Sequence, residues 1–179
     1  MEPTGLTIIH TGEGKGKTTA AIGLAVRAWG AGLRILVVQF IKGSWKYGEL
    51  KALAALAKVN GRIAIRPLGI GFTRKASETE LAEHRKKADE ALLEAEQEMK
   101  SGLWDMIILD EINYALSFGL LEEEQVLVFL HEKPASMHLV LTGRGAPPAL
   151  LEKADLVTEM KLIKHPFQRG IKAQKGIEF

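Results

Sequence analysis

The stretch "IIHTGEGKGKTTAAIG", residues 8–23, decides how this chain is read. An apolar run, a glycine-rich turn, Lys17-Thr18 and a helical pattern follow one another, as in a phosphate-binding loop set between a strand and a helix. The usual spacing, G-x-x-x-x-G-K-[ST], would put its first glycine where this chain has Thr11; the glycine comes one place later, at Gly12. The loop is one residue short. Gly12, Gly14 and Gly16 are expected to take positive φ, so that successive backbone N–H groups converge on an anion. A helix beginning near Lys17 turns its partial positive end toward the same point. Lys17 supplies an ammonium for phosphate oxygens and Thr18 a hydroxyl for Mg²⁺. Two readings compete. A dinucleotide fingerprint needs G-x-G-x-x-G and an acid at the end of the second strand; here the glycines read G-x-G-x-G and the strand ends in Gln39-Phe40. A purely structural glycine turn leaves the Gly-Lys-Thr-Thr ending unexplained.

Outward from the loop, elements alternate. "LTIIH" (Leu6 to His10) reads as a first strand. A helix follows from Lys17 to about Ala31, with Ala20, Leu24 and Ala28 on one face and "GAGLR" as its stop. "ILVVQF" (Ile35 to Phe40) is apolar enough for a strand covered on both sides. "YGELKALAALAK" reads as a helix and "RIAIR" (Arg62 to Arg66) as a third strand. After the loop "PLGIGFTRKAS", Ser77 with the acids behind it caps a long charged helix running to about Lys100. "MIILD" (Met106 to Asp110), "HLVLTG" and "LVTEMKLI" are further strands. "EEEQVLVFLHEK" and "APPALLEKA" are helices, the latter with proline in its first turn, and the tail is irregular. The pattern predicts one α/β domain over residues 1–179, a largely parallel sheet with helices on both faces, and a site at the carboxyl ends of the strands.

A phosphate loop needs a partner acid. "MIILDE" runs an apolar strand straight into Asp110-Glu111, either of which can hold Mg²⁺ directly or through water; the bland alternative is that Asp110 caps the next helix. Glu13 is anomalous, because a carboxylate inside such a loop repels its ligand unless it turns away or meets a cation such as Lys15. A formal charge of +2 gives no argument for nucleic acid, and the absence of cysteine excludes thiolate metal sites and a cysteine nucleophile. No apolar run is long enough to span a bilayer and no signal peptide is legible, so a cytoplasmic protein is expected.

Taken together, "TGEGKGKTTAA", "VVQFIKG", "GFT", "MIILDEINYAL", "LTGRG", "ADLVTEM" and "KHPFQRGIKAQKGIEF" resemble the P-loop corrinoid adenosyltransferases over nearly the whole chain. That family has a RecA-like P-loop fold and the same shortened loop. The resemblance implies transfer of the 5′-deoxyadenosyl group of ATP to the Co(I) of a corrinoid, with release of inorganic triphosphate. It implies Mg²⁺ or Mn²⁺ as cofactor, a flavoprotein electron donor and a homodimer. Gly12, Glu13, Gly14, Lys15, Gly16, Lys17, Thr18 and Thr19 match the phosphate loop, with Lys17 on phosphate oxygens and Thr18, Asp110 and Glu111 toward the metal. Phe72 matches an aromatic that packs on the lower face of the corrin and displaces the lower axial base, easing reduction of Co(II). The chain departs from the family at Arg74, often a second aromatic, at Glu13, where Asn is common, and in having only five residues before the first strand.

The remaining candidates carry less. His10, His84, His131, His138 and His165 show no metal-ligand spacing. His10, just before the loop, is read as a supporting residue. Trp45 follows a strand's carboxyl end and stands between packing and corrin contact. Arg144, in "LTGRG", reaches either phosphate or ribose, or pairs with an acid.

Overall fold

The computed structural model describes residues 4–43, 47–71 and 76–178. Its elements, in chain order, are β1 (Thr7–Thr11), α1 (Lys17–Gly30), β2 (Ile35–Gln39), α2 (Gly48–Asn60), β3 (Ile63–Pro67), α3 (Glu78–Lys100), β4 (Met106–Asp110), α4 (Ile112–Ser117), α5 (Glu123–His131), β5 (His138–Thr142), α6 (Pro148–Lys153) and β6 (Leu156–Glu159). A turn of 3₁₀ helix at Pro166–Arg169 lies in the tail. The strands form one sheet in the order β3-β2-β4-β5-β1-β6, and every pairing is parallel. Helical crossovers are what joins parallel strands, so the alternation in the sequence carries directly into the fold.

Side-chain alternation divides the core. Ile9, Leu36, Val38, Ile107, Leu109, Leu139 and Leu141 face α3 and α5, while Ile8, Ile35, Val37, Met106, Ile108 and Val140 face α1 and α2. β2 and β4 are buried at every position, which is why they read as unbroken apolar runs rather than as alternating ones. On α1 the buried residues are Ala21, Ala25 and Ala28, so the expected face built on Ala20 and Leu24 is rotated by one residue. These alanines let the helix lie close on the sheet; Leu24 packs at the edge of the same cluster.

Several expected boundaries hold. Met106–Asp110 is a strand over its full predicted length, and Ser77 caps α3 in a reciprocal box. There the Glu80 backbone N–H donates to Ser77 Oγ (3.4 Å) and the Ser77 N–H donates to Glu80 Oε2 (2.7 Å). Others shift: β1 begins at Thr7, not Leu6, and β6 ends at Glu159 instead of running on to Ile163. All four β6 residues are exposed, because this edge strand pairs with β1 alone. No helix among the described residues is long and apolar enough to cross a membrane.

Candidate functional site

The carboxyl ends of β1, β2, β4 and β5 open on one cleft of about 610 Å³. Its lining includes Gly14 to Thr19 from the loop after β1, Lys42 and Tyr47 after β2, Glu111 after β4, and Thr142 to Arg144 after β5. Sequence spacing alone could not bring these four segments together; the strand order does. The volume falls in the range of small-molecule sites.

The loop is shaped by close approach as much as by dihedral freedom. Gly12 (φ 93°) and Gly16 (φ 108°) take the left-handed backbone expected of them. Gly14 does not, which corrects one expectation. It is glycine for want of room: a Cβ there would stand 2.7 Å from the Met160 carbonyl oxygen and 2.8 Å from that of Lys161. The Gly14 N–H donates to the Met160 carbonyl at 2.6 Å, so the chain just past β6 clamps the loop. Lys17 Nζ donates to the carbonyls of Gly12 and Gly14, both at 2.6 Å, and thus spans the loop from within. Burial, with Arg144 nearby, lowers the Lys17 ammonium below its ordinary value.

Opposite the loop, Asp110 is fully buried and completely engaged. Its Oδ1 accepts from Thr18 Oγ1 (2.7 Å) and Thr142 Oγ1 (2.8 Å); its Oδ2 accepts from Gln39 Nε2 (3.0 Å) and lies 3.5 Å from Lys42 Nζ. The bland reading of Asp110 as a helix cap is overturned. Glu111 occupies the cap position of α4, at φ 66°, the one positive φ outside glycine among the described residues. Its N–H donates to Thr142 Oγ1 at 2.9 Å. Such strain in a non-glycine residue gathers at functional sites. The Glu111 carboxyl lines the cleft, and its Oε2 is buried with no hydrogen-bond partner among the described residues. Burial first, and the adjoining Asp110 second, push Glu111 up to about 7.

The Glu111 carboxyl and the Thr18 hydroxyl line the cleft, with the buried Asp110 holding Thr18 from behind, and together they form an all-oxygen donor set. Such a set suits a hard divalent cation. Among the described residues no cluster of three or more His, Asp or Glu side chains could hold a metal by itself. Mg²⁺ commonly completes a one- or two-carboxylate site with substrate phosphates and water, so the residues present fit it.

The other expected residues divide. Glu13 is exposed and pairs with Arg144 (3.1 Å), which balances its charge, and Arg144 itself lines the cleft. Lys15 does not meet Glu13; it pairs with Glu178 (2.8 Å). Thr19 lines the cleft. His10, the last residue of β1 but one, is half-buried, neither of its buried ring nitrogens has a partner among the described residues, and burial lowers its pKa. Phe72, Arg74 and Trp45 lie outside the described residues. Sequence reasoning missed Lys42, Gln39, Tyr47 and Thr142. Lys42 is 12% exposed, pairs with Glu49 (2.8 Å) and sits 4.6 Å above the Tyr47 ring. Asp110 and Glu49 hold it above its ordinary pKa against the pull of burial. The signal lay in "VVQFIKG", where a lysine stands three residues past the end of a buried strand.

A glycine-rich loop between strand and helix, its lysine and threonine, and an acid pair on a nearby strand define a P-loop nucleotide-binding protein. Solved structures agree on the fold: the flagellar accessory protein FlaH from Methanocaldococcus jannaschii (TM-score 0.59, 15% identity, 88% of this chain and 71% of that one) and the KaiC-like protein PH0186 from Pyrococcus horikoshii (TM-score 0.55, 17% identity, 90% and 74%). The family is narrower than the fold. Residues 3–179 match the model for ATP:corrinoid adenosyltransferase BtuR/CobO/CobP. Proteins called corrinoid adenosyltransferase are 42% identical in Pseudomonas aeruginosa (98% of this chain, 84% of that protein) and 44% identical in a Sinorhizobium species (98% and 80%). The corrinoid adenosyltransferase CobA of Salmonella typhimurium is 37% identical (100% and 88%). The chain belongs to the ATP:corrinoid adenosyltransferase family, whose reaction transfers the adenosyl group of ATP to a corrinoid.

Proposed function

We propose that the cleft over the shortened loop holds ATP with its triphosphate in the loop and its 5′ carbon toward the corrinoid. Co(I) of the corrinoid supplies an electron pair to the 5′ carbon. A Co–C bond forms, the C–O bond to the triphosphate breaks, and the bonding pair leaves on the triphosphate oxygen. The observation that carries this reading is the loop itself, spanned by Lys17, bonded through Thr18 to Asp110 and sharing the cleft with Glu111. In an ordinary kinase or ATPase such a loop stabilises charge at the γ-phosphorus. Here it stabilises a leaving group, so no side chain needs to act as base or nucleophile.

In this reading Gly16, Lys17, Thr18 and Thr19 present the backbone cradle, Gly12 and Gly14 shape the loop behind it, and Lys17 follows the developing negative charge on the triphosphate. Thr18 and Glu111 hold Mg²⁺ or Mn²⁺, with Asp110 orienting the Thr18 hydroxyl. When bound, the ion neutralises phosphate charge. Arg144, paired with Glu13 at the rim, is proposed to reach phosphate or ribose. Phe72 is proposed as the aromatic wedge against the lower face of the corrin, with Arg74 beside it at the corrin edge. The homodimer and the flavoprotein electron donor are carried over from the family, while the cytoplasmic location and a single catalytic domain over residues 1–179 are proposed from the sequence reading.

The test is the corrinoid product. Incubation with ATP, Mg²⁺ and chemically reduced corrinoid should give, by mass spectrometry, a corrinoid heavier by one 5′-deoxyadenosyl group. ATP turnover that is as fast without corrinoid as with it would favour a phosphotransferase or ATPase on the same loop. Binding of both without turnover would favour a carrier.

A further inference from the structure

We infer that the end of the chain forms a wall of this cleft, that Lys15 serves to anchor it, and that Ile177 offers an apolar contact to a flat ring system. The inference rests on the functional reading above. Three residues of the tail, Gly176, Ile177 and Glu178, line the same cleft as the phosphate loop, more than 150 positions earlier in the chain. Two contacts bring them there. The chain leaving β6 is bonded to the loop through Gly14 and Met160, and the Glu178 carboxylate closes on Lys15 Nζ at 2.8 Å.

The ion pair is lopsided. Lys15 is 45% exposed, but Glu178 only 16%, so the acid is tucked in and the lysine reaches to it. The hydrogen bond from Lys15 holds the Glu178 carboxyl below its ordinary range. A carboxylate at the edge of a triphosphate site would repel the ligand were its charge not matched; Lys15 matches it. Lys15 is therefore a positioning residue, committed to the tail, and the phosphate-binding lysine is Lys17.

Ile177 stands between these anchors and is 76% exposed while lining the cleft. An apolar side chain at a cleft mouth gains only from an apolar partner, and a triphosphate provides none. The reaction brings two flat rings to this cleft, adenine and the corrin. Their shared chemistry is a broad, poorly hydrated face, against which a branched aliphatic chain packs well.

The experiment measures calorimetric affinities of the full chain for three probes: ATP with Mg²⁺, inorganic tripolyphosphate with Mg²⁺, and hydroxocobalamin. Ile177→Ala should weaken ATP or hydroxocobalamin on the order of tenfold, from loss of methylene-sized contacts, and leave tripolyphosphate unchanged. Loss with ATP places adenine on Ile177; loss with hydroxocobalamin places the corrin there. Lys15→Glu should weaken the same ring-bearing probe, and Lys15→Glu with Glu178→Lys should recover it to within about twofold, since the exchanged pair restores the anchor. In Ile177→Ala, no change with any probe or equal losses for tripolyphosphate and ATP would overturn the inference, as would no recovery in the exchanged pair; Lys15→Glu alone weakens tripolyphosphate as well, because it leaves two unmatched carboxylates at the edge of the site. Failure of the parent protein to bind ATP and tripolyphosphate would instead overturn the functional reading on which it rests.

Discussion

Replacing Glu111 by Gln should make the metal-free protein more stable at neutral to alkaline pH, while impairing its response to Mg-ATP. The carboxyl is buried beside Asp110 with one oxygen unpartnered, and it holds its proton up to about 7 instead of releasing it at 4.5. The folded value lies above the unfolded one. Between these two values the unfolded chain gives up the proton while the folded chain keeps it. Stability therefore falls as pH rises through that window and levels off above it. The difference corresponds to about 3 kcal/mol above neutrality. Glutamine removes the ionisation but leaves a buried amide incompletely bonded, at a cost of about 1 kcal/mol. The net expectation in EDTA is a gain of about 2 kcal/mol for Glu111→Gln near pH 8, fading to about zero near pH 5. Urea unfolding at the two pH values measures it. Saturating Mg-ATP should then stabilise the parent more than the variant, because the cation meets a charge only in the parent. A difference between parent and variant that does not change with pH would refute the reasoning, as would a variant less stable than the parent near pH 8 without metal.

Lys17→Ala removes the ammonium that spans the loop carbonyls and faces the leaving triphosphate. Steady-state kinetics should show a loss of about 10- to 150-fold, the worth of roughly 1.5–3 kcal/mol in a charged hydrogen bond. Gly14→Ala puts a methyl 2.7 Å from the Met160 carbonyl oxygen. Forcing that contact should cost about 1–3 kcal/mol in denaturant unfolding and weaken ATP binding in the same preparation. Phe72→Ala should lose most activity when the assay starts from Co(II) and an enzymatic reductant, and much less when Co(I) is supplied chemically. Equal losses in the two assays would assign Phe72 to binding rather than to reduction.

The fold was legible because the buried parallel strands are apolar at every position but the last, where Gln39 and Asp110 meet the site. "ILVVQF" and "MIILD" carry little ambiguity, and glycine and proline punctuate the helices around them. Boundaries at the sheet edge were less legible, since nothing local says where an exposed strand stops pairing; β6 ends at Glu159 although the β-prone pattern continues. The loop was legible from its own residues, but the reason for Gly14 was not. That reason lies in Met160 and Lys161, which only the parallel β1–β6 pairing brings near. The partners of Glu13, Lys15 and Asp110 were hidden for the same cause. Arg144, Thr142 and Gln39 are remote in sequence and meet at the carboxyl ends of neighbouring strands, and Glu178 reaches the same place from the tail.

The central claim is that the phosphate loop serves a leaving group and not a transferred phosphoryl group. The identity of the phosphorus-containing product tests it most directly. With ATP, Mg²⁺ and chemically reduced corrinoid, phosphorus-31 NMR should show inorganic triphosphate accumulating in step with adenosylated corrinoid. ADP accumulating in its place would contradict the account.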